Sequence, residues 1–310
     1  MAGQAQPTLQ SELNLPFSGW FFNYSIKVYN YPMLKSKVIG VLAVVAIVVG
    51  LVAIGFQTGF FAYSTTYIGN DDNFFSGECN VLLFPLNGYL STYIPITVDG
   101  AVSEEWADAT ASEDIVDGLM TAQEDPAMKA VLLYIDSPGG DPVAGEEVAN
   151  ALKSFTKPNA AVIRGLGASG AYWAASGADK IYASRVSDVG SLGVTLSYLD
   201  EAVKNEREGY TYNELSSTKY KTLGDPGRAL TADERAIILA DLKKIHDVFV
   251  AAVAANRGLA TSTVAALATG LTYVGEDALA KGLVDEIGDL PAALKYLEGE
   301  MGEEATVCWY

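Results

Sequence analysis

Ser169 stands where a serine could do chemistry. It lies in Gly165-Leu-Gly-Ala-Ser169-Gly-Ala-Tyr-Trp173, behind an apolar stretch, Ala160 to Ile163, that reads as a strand. Small residues follow it at helical density as far as Ala178. A strand-to-helix turn of this kind puts Ser169 at a helix N-terminus, where unpaired N–H groups and the positive end of the dipole favour an alkoxide. Serine is also a good N-cap, and this stretch alone leaves both roles open. A nucleophilic serine needs a base. The single histidine, His246, falls beside the apolar face of a helical pattern formed by Ile238, Leu242, Ile245 and Phe249, which makes it a partly buried or rim residue. No local motif supplies the orienting acid a triad would need. Lysine is the remaining base. An exposed lysine, with a pKa of about 10.4, is charged at neutral pH, so a lysine base needs an apolar setting that disfavours the ammonium form. Lys221 sits in Tyr220-Lys-Thr-Leu-Gly-Asp-Pro226, and by composition alone it reads as a surface residue.

Chemistry at a serine also needs donors for a developing oxyanion. Ala130 to Asp136 reads as a buried strand and runs into Ser137-Pro-Gly-Gly140, with a helical pattern over 142–155 beyond. Glycines at such a turn let backbone N–H groups point into open space, as an oxyanion hole requires.

Five stretches in this order carry a resemblance. They are Ile135-Asp-Ser-Pro-Gly-Gly140, Ala168-Ser-Gly170, Asp188-Val-Gly-Ser-Leu-Gly-Val194, Tyr220-Lys221 with Gly-Asp-Pro after it, and Gly282-Leu-Val-Asp-Glu-Ile-Gly288. Together, across residues 81–288, the chain resembles the signal peptide peptidase A family of membrane-bound serine–lysine proteases, in its short single-domain form. The resemblance implies Ser169 as nucleophile, Lys221 as general base, Gly140 with Gly139 as oxyanion hole, and Ser191 and Gly170 in support. It implies no cofactor and no metal. It implies cleavage of remnant signal peptides or other membrane-released peptides, on a Clp-protease/crotonase-like α/β superhelix of β-β-α units. Nothing local brings Lys221 to Ser169; in the family's single-domain members the lysine reaches the serine of a neighbouring subunit, which implies a homo-oligomeric ring with shared active sites. Ala171 and Asp136 depart from the commoner glycine and asparagine, and neither removes a catalytic atom. Two competing readings share the fold: a crotonase-type acyl-CoA enzyme and a non-catalytic membrane scaffold.

The elements around these residues set the organisation. The longest apolar run, Val38 to Phe56, has no charge and the length to cross a bilayer. Before it lies a tail, 1–37, with aromatics from Phe17 to Tyr31 that suit a membrane interface. Lys27, Lys35 and Lys37 precede the span and Asp71, Asp72 and Glu78 follow it, which places the tail in the cytoplasm and the rest outside the cell membrane. Residues 57–80 read as a linker, 81–290 as the peptidase domain, and 291–310 as a C-terminal helix and tail. The formal charge is −18, and 17 basic against 37 acidic residues follow Phe56, so this part repels nucleic acid. Cys79 and Cys308 are the only cysteines; on the outer side they could form a disulfide, or remain two thiols. Two distant cysteines and one histidine do not make a metal cluster. Strands alternating with helices imply a mostly parallel sheet. A strand interrupted at Pro85 opens the domain, and a helix capped by Thr110 or Ser112 follows, with Ile115, Val116, Leu119 and Met120 inward. Thr231-Ala-Asp-Glu234 reads as a capping box starting a helix that runs to about Asn256.

Overall fold

A computed structural model of the chain describes residues 79–95 and 102–310. The tail 1–37, the span 38–56 and all but the end of the linker lie outside the described residues. Among the described residues no helix is long and apolar enough to cross a membrane.

The strands β1 (Val81–Ser91), β2 (Thr110–Ala111), β3 (Ala130–Gly140), β4 (Asn159–Ala168), β5 (Lys180–Ala183), β6 (Asp188–Gly190), β7 (Thr272–Val274), β8 (Glu286–Ile287) and β9 (Val307–Trp309) form one sheet. Its main order is β2-β1-β3-β4-β5-β8, with β9 also on β1, and β6 joining β4 to β7. Every pair is parallel except β6 with β7. Parallel pairs need crossovers, and the helices α1 (Ser112–Glu124), α2 (Pro142–Ser154) and α3 (Gly170–Ser176) supply them. Then come α4 (Ala202–Arg207), α5 (Ala232–Arg257), α6 (Thr261–Leu267), α7 (Gly275–Ala280) and α8 (Leu290–Met301).

Successive strand side chains point to opposite faces. Leu82, Phe84, Val131, Leu133, Ala161 and Ile163 join the core beneath α1, α2, α3 and α5. Their neighbours Val81, Leu83, Leu132 and Val162 pack with Ala293 and Leu297 of α8 on the other face. Burial on both faces explains why these strands read as continuous apolar runs.

Pro85 does not interrupt β1. Leu83 O accepts from Tyr310 N on the β9 side, and Asn87 N donates to Thr110 Oγ1 on the β2 side of that same edge. Pro85, between them, faces the gap where β9 has ended and β2 has not begun, so its missing N–H breaks no ladder bond.

β3 and β4 run further than their apolar cores, and the extension carries the site. The β1–β3 register shifts between Asn87 and Tyr89, and the β3–β4 register shifts between Ile135 and Ser137. At the same level β4 exchanges partners, pairing β5 through Ile163 and β6 from Leu166. Register irregularities of this kind are common beside active sites.

The helices depart from the expected pattern at their ends. Ser112 is the first residue of α1 and not its cap; its buried hydroxyl donates to Glu147 Oε2 at 2.5 Å. Ile115, Leu119 and Ala122 face the core, whereas Met120 is exposed because one residue turns the helix by about 100°. Val143 at the start of α2 is likewise exposed, and Asp141 caps that helix by accepting from Val143 N. The capping box of Thr231 and Glu234 is present at α5. The first half of α5 is not apolar core: Leu239, Ile245 and Val248 are exposed, and buried apolar residues begin at Phe249. The C-terminal segment is more than a helix and tail. After α8 it adds β9 to β1, and a Cys79–Cys308 disulfide fastens it there.

Candidate active site

Ser169 lies between β4 and α3, with φ 52° and ψ −125°. Only Ser169 and Ser191 combine a side chain with positive φ among the described residues, and they lie together. Ser169 N donates to Gly190 O at 2.7 Å, and Ser191 N donates to Leu271 O at 3.0 Å. Such backbone costs about 1–3 kcal/mol per residue and persists only where surrounding bonds enforce it. Ser169 makes no side-chain cap bond, and its hydroxyl has no hydrogen-bond partner among the described residues. The N-cap role is therefore not the one it fills.

The turn after β3 lies against this serine. Gly139 has φ +91°, and a Cβ there would meet Ala168 O at 2.6 Å, Gly170 N at 2.7 Å and Ser169 Cβ at 2.9 Å. Its N–H donates to Ser137 Oγ at 3.0 Å, and Ser137 Oγ donates in turn to Gly88 O at 2.6 Å. Gly139 is thus committed to shaping the turn. Asp141 N donates to Leu90 O, toward β1, so by strand alternation the Gly140 N–H faces the other way, toward the serine. A Cβ on Gly170 would lie 3.3 Å from Gly140 N, which places that N–H beside the start of α3. Gly170 N belongs to the first turn of α3, where amides have no intrahelical partner. The Gly139 N–H is taken by Ser137, while the Gly140 N–H lies beside the start of α3.

Ser169 and Ser191 line a cavity of about 530 Å³ with Pro138, the 192–195 segment, Ala268 to Gly270, and His246. Ser191 Oγ donates to Gly270 O at 3.1 Å. His246 reaches the wall because Phe249, one turn on, stacks on Trp173 of α3 with centroids 4.6 Å apart and planes 10° from parallel. That stack docks α5 on the helix that Ser169 starts. Sequence spacing placed His246 beside an apolar face, and its membership of the cavity was missed, because the facing element is 77 residues away. Tyr172, next to Trp173, donates to Leu283 O at 2.8 Å, and burial pushes its phenol pKa up.

Lys221 is not brought to Ser169 within the chain. It is exposed, on a segment running from Val194 to Ala229 that has little regular structure and leans on α5. Arg228 holds this arm, reaching Glu234 Oε1 at 2.6 Å and Glu214 Oε2 at 3.1 Å. Lys219 pairs with Asp233 at 3.2 Å, whereas Lys221 Nζ has no ion pair or hydrogen bond among the described residues. Leu196, Leu199, Val203, Tyr210 and Leu215 leave the arm apolar and exposed.

Comparison with known proteins places the chain among proteases. The profile of peptidase family S49 matches residues 151–303, and that of Clp protease matches 98–187. A Methanocaldococcus jannaschii protein named "Putative protease" is 33% identical over 239 residues, 74% of this chain and 73% of that protein. The chain belongs to peptidase family S49, the signal peptide peptidase A family. Longer relatives include the chloroplastic serine protease SPPA of Arabidopsis thaliana, 29% identical across 60% of this chain and 28% of its own length. Protease 4 of Haemophilus influenzae is 31% identical across 65% of this chain and 32% of its own. A solved ClpP1 variant from Listeria monocytogenes aligns with a TM-score of 0.43 at 14% identity, over 69% of this chain and 94% of that one. Membership of S49 makes the chain a serine peptidase and sets the acyl-CoA reading aside, and the Clp protease profile supports a Clp-protease-like α/β fold.

Proposed function

We propose that this S49 peptidase is a membrane-anchored endopeptidase that cuts remnant signal peptides with a dyad of Ser169 and Lys221. The observation that carries the reading is the strained, unpartnered Ser169 beside the Gly140 and Gly170 amides. In the first step Ser169 Oγ attacks the scissile carbonyl while the neutral Lys221 amine takes its proton. The two amides hold the oxyanion. Collapse expels the amine fragment, which takes the proton from Lys221 and leaves an acyl-enzyme. Water then attacks, with Lys221 again as base.

Lys221 is exposed in the single chain, whereas a lysine base needs an apolar setting. A second subunit resolves this: an apolar, exposed arm carrying an unpaired lysine suits docking on a neighbour, where the lysine would be desolvated beside that neighbour's serine. Ser191, already in the cavity, would help to hold it. The anchor is the span 38–56, and the Cys79–Cys308 disulfide favours an oxidising, non-cytoplasmic side.

The test mixes subunits. Ser169→Ala and Lys221→Ala should each be inactive, and Lys219→Ala nearly normal. Mixed assemblies of the two inactive variants should regain activity at interfaces holding one intact pair. Subunits that exchange without regaining activity would place the dyad within one chain. Activity surviving in Lys221→Ala would pass the base to His246, which already shares the cavity.

A further inference from the structure

We infer that His246 is a specificity-determining residue of the Ser169 cavity, favouring peptides that bring an acidic side chain to it. This deepens the peptidase reading and rests on it. Among the described residues His246 is the only ionisable side chain in the cavity wall. The rest of the wall is apolar, as at Leu192, Val194 and Ala268, or hydroxylic, as at Thr195 and Thr269. Discrimination by charge therefore falls to this imidazole. Its side chain is about 31% exposed, open enough to meet a ligand and covered enough to be held.

The ring is bounded on two sides. Nε2 lies 3.4 Å from Ala268 O, and Nδ1 lies 3.9 Å from Asp247 Oδ1. Asp247 is already bonded to Lys243 Nζ, at 2.6 and 2.8 Å, so that carboxylate is largely compensated before His246 gains a proton. The 192–195 segment and the 268–270 turn, which complete the wall, carry no charged residue. In the proposed shared site Lys221 of the partner subunit enters as a neutral base, so it adds no standing charge. A protonated His246 thus adds positive charge to the cavity. The chain around it carries −18 overall, so an acidic peptide meets general repulsion and gains only where a local cation receives it. Histidine is the side chain type whose charge can change near neutral pH, so pH is the variable that tests the preference.

The experiment measures peptide binding, so that it does not depend on turnover. Full-length Ser169→Ala protein is titrated with peptide pairs that differ by Glu against Gln, stepped through each position, at pH 5.5 and 8.5. At one position the Glu:Gln affinity ratio should rise about tenfold on acidification, the size of one charge-assisted hydrogen bond. Adding His246→Gln should remove the pH step, and adding His246→Lys should keep the Glu preference at both pH values. A pH step unchanged in the His246→Gln background would assign it to another cation, such as the partner's lysine, and overturn the inference. So would equal affinities at every position, or no binding of either peptide. Fluorophosphonate labelling of the wild-type chain reports on the peptidase reading separately: labelling at Ser169 without a His246-dependent step sinks only this inference.

Discussion

Gly139→Ala puts the geometry of the site under direct strain. The residue sits at φ +91°, where an L side chain costs about 1–2 kcal/mol. The new methyl would also meet Ala168 O at 2.6 Å and Gly170 N at 2.7 Å, while ordinary contact begins near 3.4 Å. Both contacts are backbone atoms flanking Ser169, so the chain must part by several tenths of an ångström at the nucleophile itself. Forced overpacking adds roughly 1–3 kcal/mol, for a total loss of about 2–5 kcal/mol. A shift approaching 1 Å in reacting groups costs on the order of a hundredfold in rate, about 2.7 kcal/mol of barrier. Gly302→Ala is the control, because Gly302 has φ +74° after α8 and nothing within 4 Å of a built Cβ. It should lose only the backbone cost and label normally. Urea midpoints give stability, and the rate of fluorophosphonate labelling gives access to Ser169. If Gly139→Ala labels at the wild-type rate and loses no more stability than Gly302→Ala, the close packing of β3 on the serine is wrong.

Other consequences follow from the ion pair at the arm and from the disulfide. Arg228, with the Thr231 backbone and hydroxyl, lowers the Glu234 carboxyl from 4.5 to about 2. A lowered carboxyl stabilises the fold above its unfolded pKa, so this contribution should be intact above about pH 4.5 and fade as the pH falls toward 2. Urea midpoints of wild type and Glu234→Gln across that range should converge at the acid end; a constant gap would refute the pairing. Cys308→Ser opens a link spanning 229 residues and should cost about 2–5 kcal/mol. Limited proteolysis should then cut β9 first, and an unchanged midpoint with protected β9 would show that the clip contributes nothing. Leu119→Ala, in the core beneath α1, should cost about 2–5 kcal/mol, whereas Met120→Ala, on the exposed side, should stay within roughly 0.5 kcal/mol.

Much of the positioning was legible in the sequence because it is local. The apolar runs at β3 and β4, the capping box at Thr231 and Glu234, and the strand-to-helix turn at Ser169 all follow from residue types a few positions apart. The order of the motifs around Ser137, Ser169, Asp188 and Lys221 carried the family, since each names a turn that the chain makes by itself. The sequence could not show what several distant segments decide together. The strand ends extend past their apolar cores because register shifts at Asn87 and Ile135 line up with the change of partner along β4. The Gly139 N–H turns to Ser137, a contact set by a buried hydroxyl. His246 enters the cavity only because Phe249 stacks on Trp173, 76 residues earlier in the chain. The last residues become a strand because β1 has an open edge beside Val81 to Leu83 and a cysteine waiting at 79. Each of these depends on which surfaces meet after folding, and spacing along the chain carries no record of that.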